Sequence, residues 1–258
     1  SGYTTQGINS VAVGAGAGND NQGINSVAVG YLAGNDNQGN TSVAIGSGAG
    51  QTNQQQQSIA IGSDAGQTTQ GTASVAIGTF SGKQYQGKNS VAIGEEAAQN
   101  NQGNDSVAVG SGAGRTSQGN DSVAIGFQSG YTTQGINSVA VGAGAGYTTQ
   151  GINSVAVGAG AGNDTQGNNS VAIGYLAGND NQTANSIIIN ATGKAVNNTT
   201  YLNTIIINAT NDAIAPDQSN AFFIRPLRRV DGGGGVPSGF RRVAWNPTTY
   251  EMIYHEEP

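Results

Sequence analysis

A serine returns every sixteen residues, at Ser10, Ser26, Ser42, Ser58, Ser74, Ser90, Ser106, Ser122, Ser138, Ser154, Ser170 and Ser186, without a slip. Nearly every copy opens the same phrase: Ser-Val-Ala-Val/Ile-Gly, two variable residues, Ala-Gly, three polar residues, Gln-Gly, a variable residue and usually Asn. A fixed short period means stacked structural units, each too small to bury its own apolar face. Only 9% of the residues are charged, against about 25% in an average globular chain. With 43 glycines among 258 residues, such a chain would read as disordered if its apolar residues did not recur in strict register. That register makes it a solenoid.

Several function classes fall away at this level. There is no cysteine, so neither disulfides nor thiolate metal sites hold the fold. No apolar run approaches the roughly 18 to 20 residues of a membrane span, and no signal peptide opens the chain. Its start inside a repeat leads us to expect a mature or truncated product. Residues 1–190 carry Lys83, Lys88 and Arg115 against nine carboxylates, which makes them a poor match for nucleic acid or an anionic membrane. The tail is nearly neutral, with Arg225, Arg228, Arg229, Arg241 and Arg242. Every proline, Trp245, Met252 and His255 fall after residue 210, marking a separate C-terminal module.

Ser-Val-Ala-Ile-Gly alternates as a strand does, so Val and Ile share one face while Ser, Ala and Gly share the other. Branched apolar residues such as Val43, Ile45, Val91, Ile93, Val139 and Val141 are expected to fill the interior of the roll. The opposite face carries Ala12, Ala28, Ala44, Ala60, Ala76, Ala92, Ala108, Ala124, Ala140, Ala156 and Ala172 without exception. A column that stays small implies another surface close by. Two branched side chains per sixteen residues are a small return for ordering a glycine-rich coil. We therefore expect the Ala face to be covered by partner chains in an obligate oligomer.

Sixteen residues suit one circuit of a flattened coil. The expected path is a strand at Ser-Val-Ala-Ile-Gly, a turn, a second strand through the Ala-Gly pair, and a return turn at Gln-Gly-x-Asn. Stacked at about 4.8 Å per coil, the return-turn amides can form a hydrogen-bonded ladder. Its members are Gln22, Gln38, Gln54, Gln70, Gln86, Gln102, Gln118, Gln134, Gln150, Gln166 and Gln182. About a dozen coils give a rod on the order of 60 Å long.

The phrases "NSVAVG", "NSVAIG" and "DSVAIG" resemble the head repeats of trimeric autotransporter adhesins of the YadA type, over roughly residues 1–190. The resemblance implies a left-handed parallel β-roll, three of which pack around a common axis with the Ala column facing it. It also implies an extracellular head that attaches to host matrix or cell surfaces. The family's fuller phrase places Ser three residues beyond the Gly; here only Ser81 and Ser129 match, and most other copies have Ala. Similar repeats occur in fibre proteins of large viruses and phages, so the expected setting is a cell surface, a secreted fibre or a virion.

The last turns change character. "SIIIN" and "TIIIN" replace the axial Ala with Ile188 and Ile206, and the spacing grows to eighteen residues. Three isoleucines meeting at an axis need more width than three alanines, so the rolls are expected to splay or end there. The tail reads as a strand "AFFIRPLRRV", a loop "DGGGGVPSG" and a hairpin "RRVAWNPTTYEMIYHEE" turning at Asn246 to Thr249. The expected organisation is thus β-roll repeats over 1–190, transition coils over 191–215 and a small capping or attachment module over 216–258.

Chemical candidates are few. His255 has no Cys or Ser in a recognisable arrangement near it, and Glu95 and Glu96 are adjacent, so on a strand they point to opposite faces. Asp20 and Asp36, and Asp164 and Asp180, lie one coil apart but lack the ligand-rich nonapeptide of calcium rolls, which makes solvated turns the better reading. GxG patterns in so glycine-rich a chain carry no nucleotide signal. Tyr131 with Tyr147, and Tyr31 with Tyr175, share columns that could touch a receptor, a glycan or a trimer rim. The sequons at Asn40, Asn104, Asn120 and Asn168 matter only in a eukaryotic secretory pathway. Together these readings predict an all-β, homotrimeric, left-handed parallel β-solenoid with no catalytic, cofactor or metal site. Its expected role is an extracellular attachment fibre whose partner is a host surface protein or a glycan, with no nucleic acid and no membrane insertion of this segment. The alternative is a filament subunit that polymerises head to tail.

Overall fold

The computed structural model describes residues 5–210, 214 and 216–225, together with the backbone of two strands at 242–246 and 251–255. It divides into a unit from Ser1 to Arg225 and a second from Pro226 to Pro258. The first is a parallel β-solenoid without a helix among the described residues, in which each sixteen-residue circuit adds one rung to each of two sheets.

The first sheet has fourteen parallel strands, beginning with Val11–Val13, Val27–Val29 and Val43–Ile45, and ending with Ile187–Asn190, Ile205–Asn208 and Phe222–Arg225. Register is strict: Ala92 pairs with Ala76 on one side and Ala108 on the other. The second sheet has ten short strands, from Asp20–Gln22 to Thr165–Gln166. They lie one turn later than expected: the Ala-Gly pair belongs to the turn, and the strand runs through the polar residues that end on the repeat glutamine. The Ala-Gly pair turns because its glycines adopt φ near +50°, as Gly66 at 53° and Gly34 at 52° do. That left-handed conformation is open to glycine at little cost and suits a turn rather than a strand.

The inside and outside of the roll are the reverse of the expectation. Ala28, Ala44, Ala60, Ala76, Ala92, Ala108, Ala124, Ala140, Ala156 and Ala172 are fully buried within the single chain, and Ala12 in the first coil partly so. They face the buried Ala of the opposite turn, for example Ala17, Ala33, Ala49 and Ala65. They therefore cannot form the surface between chains. Val43, Val91, Val139 and Val141 are half-buried and Ile45 and Ile93 exposed, so these residues are not the roll core. The reason is thickness. A methyl added to Gly82 or Gly66 would lie 3.3 Å from the Cβ of Ala76 or Ala60 across the interior, so nothing larger than Ala fits there.

What fills this narrow interior is alanine, serine and the repeat glutamine. Most serine hydroxyls donate to the carbonyl three residues earlier, as from Ser26 to Gly23 at 2.6 Å, whereas Ser90, Ser106 and Ser154 reach the glycine carbonyl of the next coil at 2.8 Å. Each glutamine amide spans the roll and donates to the first-sheet strand of its own coil, as from Gln54 Nε2 to Val43 O at 2.8 Å and Gln118 Nε2 to Val107 O at 2.8 Å. Direct amide-to-amide rungs join Gln38 to Gln54, Gln54 to Gln70, Gln102 to Gln118 and Gln166 to Gln182 at 3.1 to 3.3 Å. At Gln22, Gln38, Gln86, Gln102, Gln134, Gln150 and Gln166 the Oε1 has no protein donor, because the neighbouring Nε2 is directed at strand carbonyls instead. A more regular ladder runs outside, where Asn137, Asn153, Asn169 and Asn185 link side chain to side chain at 3.1 to 3.2 Å.

At the end of the roll the interior widens within each chain. Ile188 and Ile206 are fully buried and packed with Val196 and Ile214, with Phe223 against them. They too lie inside the roll rather than at an axis between chains, and the longer coils make room for them. The sheet continues past 190 and past 216: Ile206 pairs in parallel with Phe223. In the second unit, Arg242–Asn246 pairs antiparallel with Glu251–His255, with Trp245 opposite Met252. The expected turn from Asn246 to Thr249 lies largely outside the described residues.

Candidate interaction surface

Because alanine takes the inside, every strand of the first sheet before the last presents two branched side chains outward. In a chain on its own these remain open to water: Ile93 is 37% exposed, Ile125 41% and Ile173 39%. The pairs stack in register from Val11 and Val13 through Ile187 and Ile189 to Ile205 and Ile207, and Phe222 and Ile224 extend the row. Contiguous apolar area of this length is rare on a monomer surface and marks a contact. The outer face of the second sheet is polar, with Asp20, Asn37, Thr52, Asn53, Gln84 and Asn100. The molecule thus has one apolar broad face and one wet one.

This face is what the sequence reading missed. A signal was available: the outward positions exchange Val and Ile between copies (Val29, Ile45, Ile77, Val109), whereas Ala, Ser and Gln hardly vary. Free exchange of a methylene fits a looser contact than the interior of a thin coil, where a change of one methylene is felt.

The turn between the sheets carries the remaining chemistry. Lys83 Nζ lies 3.7 Å from Asp64 Oδ2 and 4.5 Å from the centre of the Phe80 ring. Arg115 Nε lies 3.0 Å from Glu96 Oε2, and its guanidinium covers Tyr131 at 5.2 Å. Tyr131 and Tyr147 stack with ring centres 4.9 Å apart and planes within 8°. Glu96 is therefore tied to an arginine, and Glu95 stands exposed beside it. Tyr31 and Tyr175 are exposed on the same edge.

Asp20 and Asp36 are neighbours in register. Among the described residues no three His, Cys, Asp or Glu side chains converge on a metal position, and no helix is long and apolar enough to cross a membrane. The sequon asparagines help to join the coils, since Asn40, Asn104, Asn120 and Asn168 each accept the backbone N–H of the preceding coil at 2.9 to 3.0 Å. His255 lies in the strand opposite Arg242.

Residues 86–113, 117–145 and 150–177 match the family model of the YadA head domain repeat. No curated protein and no solved structure matches the chain.

Proposed function

We propose that this chain, which carries YadA head repeats across its central coils, is the subunit of a homotrimeric adhesive fibre exposed outside the cell or on a virion. YadA head domains form trimers and belong to a structural adhesin type rather than to enzymes. The observation that carries the reading for this chain is the open Val/Ile face. Each outward side chain still offers a good part of its surface, and covering it yields on the order of 1 kcal/mol. Two such positions on each of the fourteen strands of that sheet outweigh the roughly 4 to 15 kcal/mol cost of association. Three identical faces turned toward one axis bury all of them and leave the polar sheets and the turns for contact with a target surface.

The test is mass under native conditions together with adhesion. The wild-type chain is expected at three times its monomer mass and to attach to host-cell or matrix surfaces. Replacing Ile93 and Ile125 with Lys puts charges into the axis while leaving the alanine interior untouched, so the variant should run as a β-rich monomer and lose attachment. A wild-type monomer, or a double variant that stays trimeric, overturns the proposal.

A further inference from the structure

The turns between the sheets carry a longer period than the coils do. Aromatic side chains stand at Tyr31, Phe80, Phe127 and Tyr175, in the second, fifth, eighth and eleventh of the serine-initiated coils, one in every third. Tyr31, Phe127 and Tyr175 directly follow the strand-ending glycine, and Phe80 is one residue later. The two coils between successive aromatics hold only small or polar residues there, for example Ser47-Gly48 and Ser63-Asp64, or Ala143-Gly144 and Ala159-Gly160. Backbone bonds hold this column in register: Gly48 N donates to Tyr31 O, Phe80 N to Ser63 O, Gly144 N to Phe127 O and Leu176 N to Ala159 O, at 2.8 to 3.0 Å. Three rungs set the aromatics about 14 Å apart along the roll.

Packing does not account for three of these rings; the fourth, Phe80, is half-buried with Lys83 Nζ 4.5 Å from its ring centre. Tyr31 is 61% exposed, Phe127 58% and Tyr175 50%. Their neighbours along the column are Ala15 and Ser47, Ser111 and Ala143, and Ala159, too short to cover a ring, and the other coils complete the same turn with Ser, Thr or Glu95. Beside them runs the tenth residue of the repeat, which is mostly an amide and reaches across the turn. Asn35 Nδ2 donates to Gly16 O at 2.9 Å, and Gln67 Nε2 to Asp64 Oδ1 at 3.1 Å. The charges on this edge are largely paired with one another, Lys83 with Asp64 and Arg115 with Glu96.

We infer that this edge is a binding track for an extended, neutral, linear polysaccharide lying along the roll, with each aromatic a stacking subsite for one sugar in three. A pyranose ring offers an apolar C–H face to an aromatic ring and a rim of hydroxyls to amides, and exposed rings beside a column that is an amide in most coils, with Lys83, Arg115, Tyr131 and Tyr147 in the others, provide both. Three rungs span close to the length of three pyranoses in an extended chain, so one polymer meets every subsite in step. A folded protein partner needs about 1,000 Å² of continuous contact around a buried anchor. Tyr31, Phe80, Phe127 and Tyr175 are separated along their column by small or acidic residues, and the one stacked pair on this edge, Tyr131 with Tyr147, is far too small to be such a patch. The paired charges favour a neutral polymer over a polyanion. The inference rests on the attachment role above and names its ligand class.

The test measures binding of the native protein to neutral β-linked oligosaccharides, from disaccharide to dodecasaccharide, by calorimetry. Affinity should rise in steps as the chain grows long enough to span a second and then a third ring, with about 10²-fold between the trisaccharide and the dodecasaccharide. Phe127→Ala should weaken the dodecasaccharide about tenfold. The quadruple variant Y31A/F80A/F127A/Y175A should lose binding while keeping native mass and a cooperative melt, lowered only by the loss of the half-buried Phe80 ring. No binding of any neutral glycan, affinity independent of length, or full binding by the quadruple variant overturns the inference. So does attachment that protease treatment of the target abolishes and glycosidase treatment does not, an outcome that identifies a protein receptor and leaves the attachment role standing. A wild-type monomer that attaches to nothing removes the attachment role, and the oligosaccharide result is read separately from it.

Discussion

Replacing Ala108 with Leu separates the two possible inside-out arrangements of the roll. Ala108 is fully buried in the single chain, and a methyl on Gly114 across the interior would lie 3.4 Å from its Cβ. The three added carbons of leucine have no free space and must displace the Gln118 amide. That amide donates to Val107 O at 2.8 Å and to Ser122 O at 3.3 Å. Overpacking costs about 1 to 3 kcal/mol, and a buried carbonyl left without its donor costs about 1 to 3 kcal/mol more. The expected penalty is about 2 to 6 kcal/mol per chain, a fall in melting temperature on the order of 10 °C for a chain of this size. It should appear in each chain separately, before and independently of any change in native mass. Val107→Leu, on the outer face of the same strand, is the control and should melt within a few degrees of wild type. If Ala108→Leu melts as wild type does while only the oligomer dissociates, the alanines face a partner and the packing derived above is wrong.

Two further substitutions probe the turns. Gly110 has φ of +126°, and a methyl there would lie 2.6 Å from the Gly126 carbonyl oxygen of the next coil; Gly110→Ala should therefore yield little soluble protein, and expression at wild-type level with an unchanged melt would contradict the stacking. Ala98 stands at φ of +46° where the other coils have glycine, and on the geometry of Gly114 and Gln118 its methyl presses on the Gln102 amide. Ala98→Gly removes that contact and about 1 kcal/mol of left-handed strain, so the melting temperature should rise by about 2 to 4 °C; a fall would show that the methyl is packed favourably.

How much of this was legible in the chain can be judged from particular columns. The sixteen-residue period and the strand at Ser-Val-Ala-Ile-Gly follow from spacing alone, and both sheets repeat with that period. The side on which Ala92 and Ile93 fall does not follow from it. Alternation says that they oppose each other, and the general preference of branched residues for interiors then points the wrong way. What overrides that preference is the separation of the two walls, a property of the whole circuit. It is set by where the second strand begins, two or three residues beyond the glycine of the Ala-Gly pair. Gln102 shows the same dependence: its recurrence signals a ladder, but only the wall separation directs its amide to the Val91 carbonyl at 2.9 Å.

The same thinness connects fold to role. An interior of methyls, hydroxyls and amides makes each coil weakly stable alone and leaves its larger apolar side chains outside, where the proposed trimer would cover them. In such stacked repeats stability accumulates along the axis through contacts between neighbouring coils. These turns, held by their glycines and the backbone bonds between rungs, tolerate almost any side chain at the two residues after the strand-ending glycine. Ala15, Tyr31, Ser47, Glu95 and Phe127 share one of those positions on one backbone path. Selection for binding can therefore act on that edge without disturbing the fold. A spacing of three coils between aromatics, which nothing in the sixteen-residue packing requires, is what a constraint imposed from outside the chain would leave there.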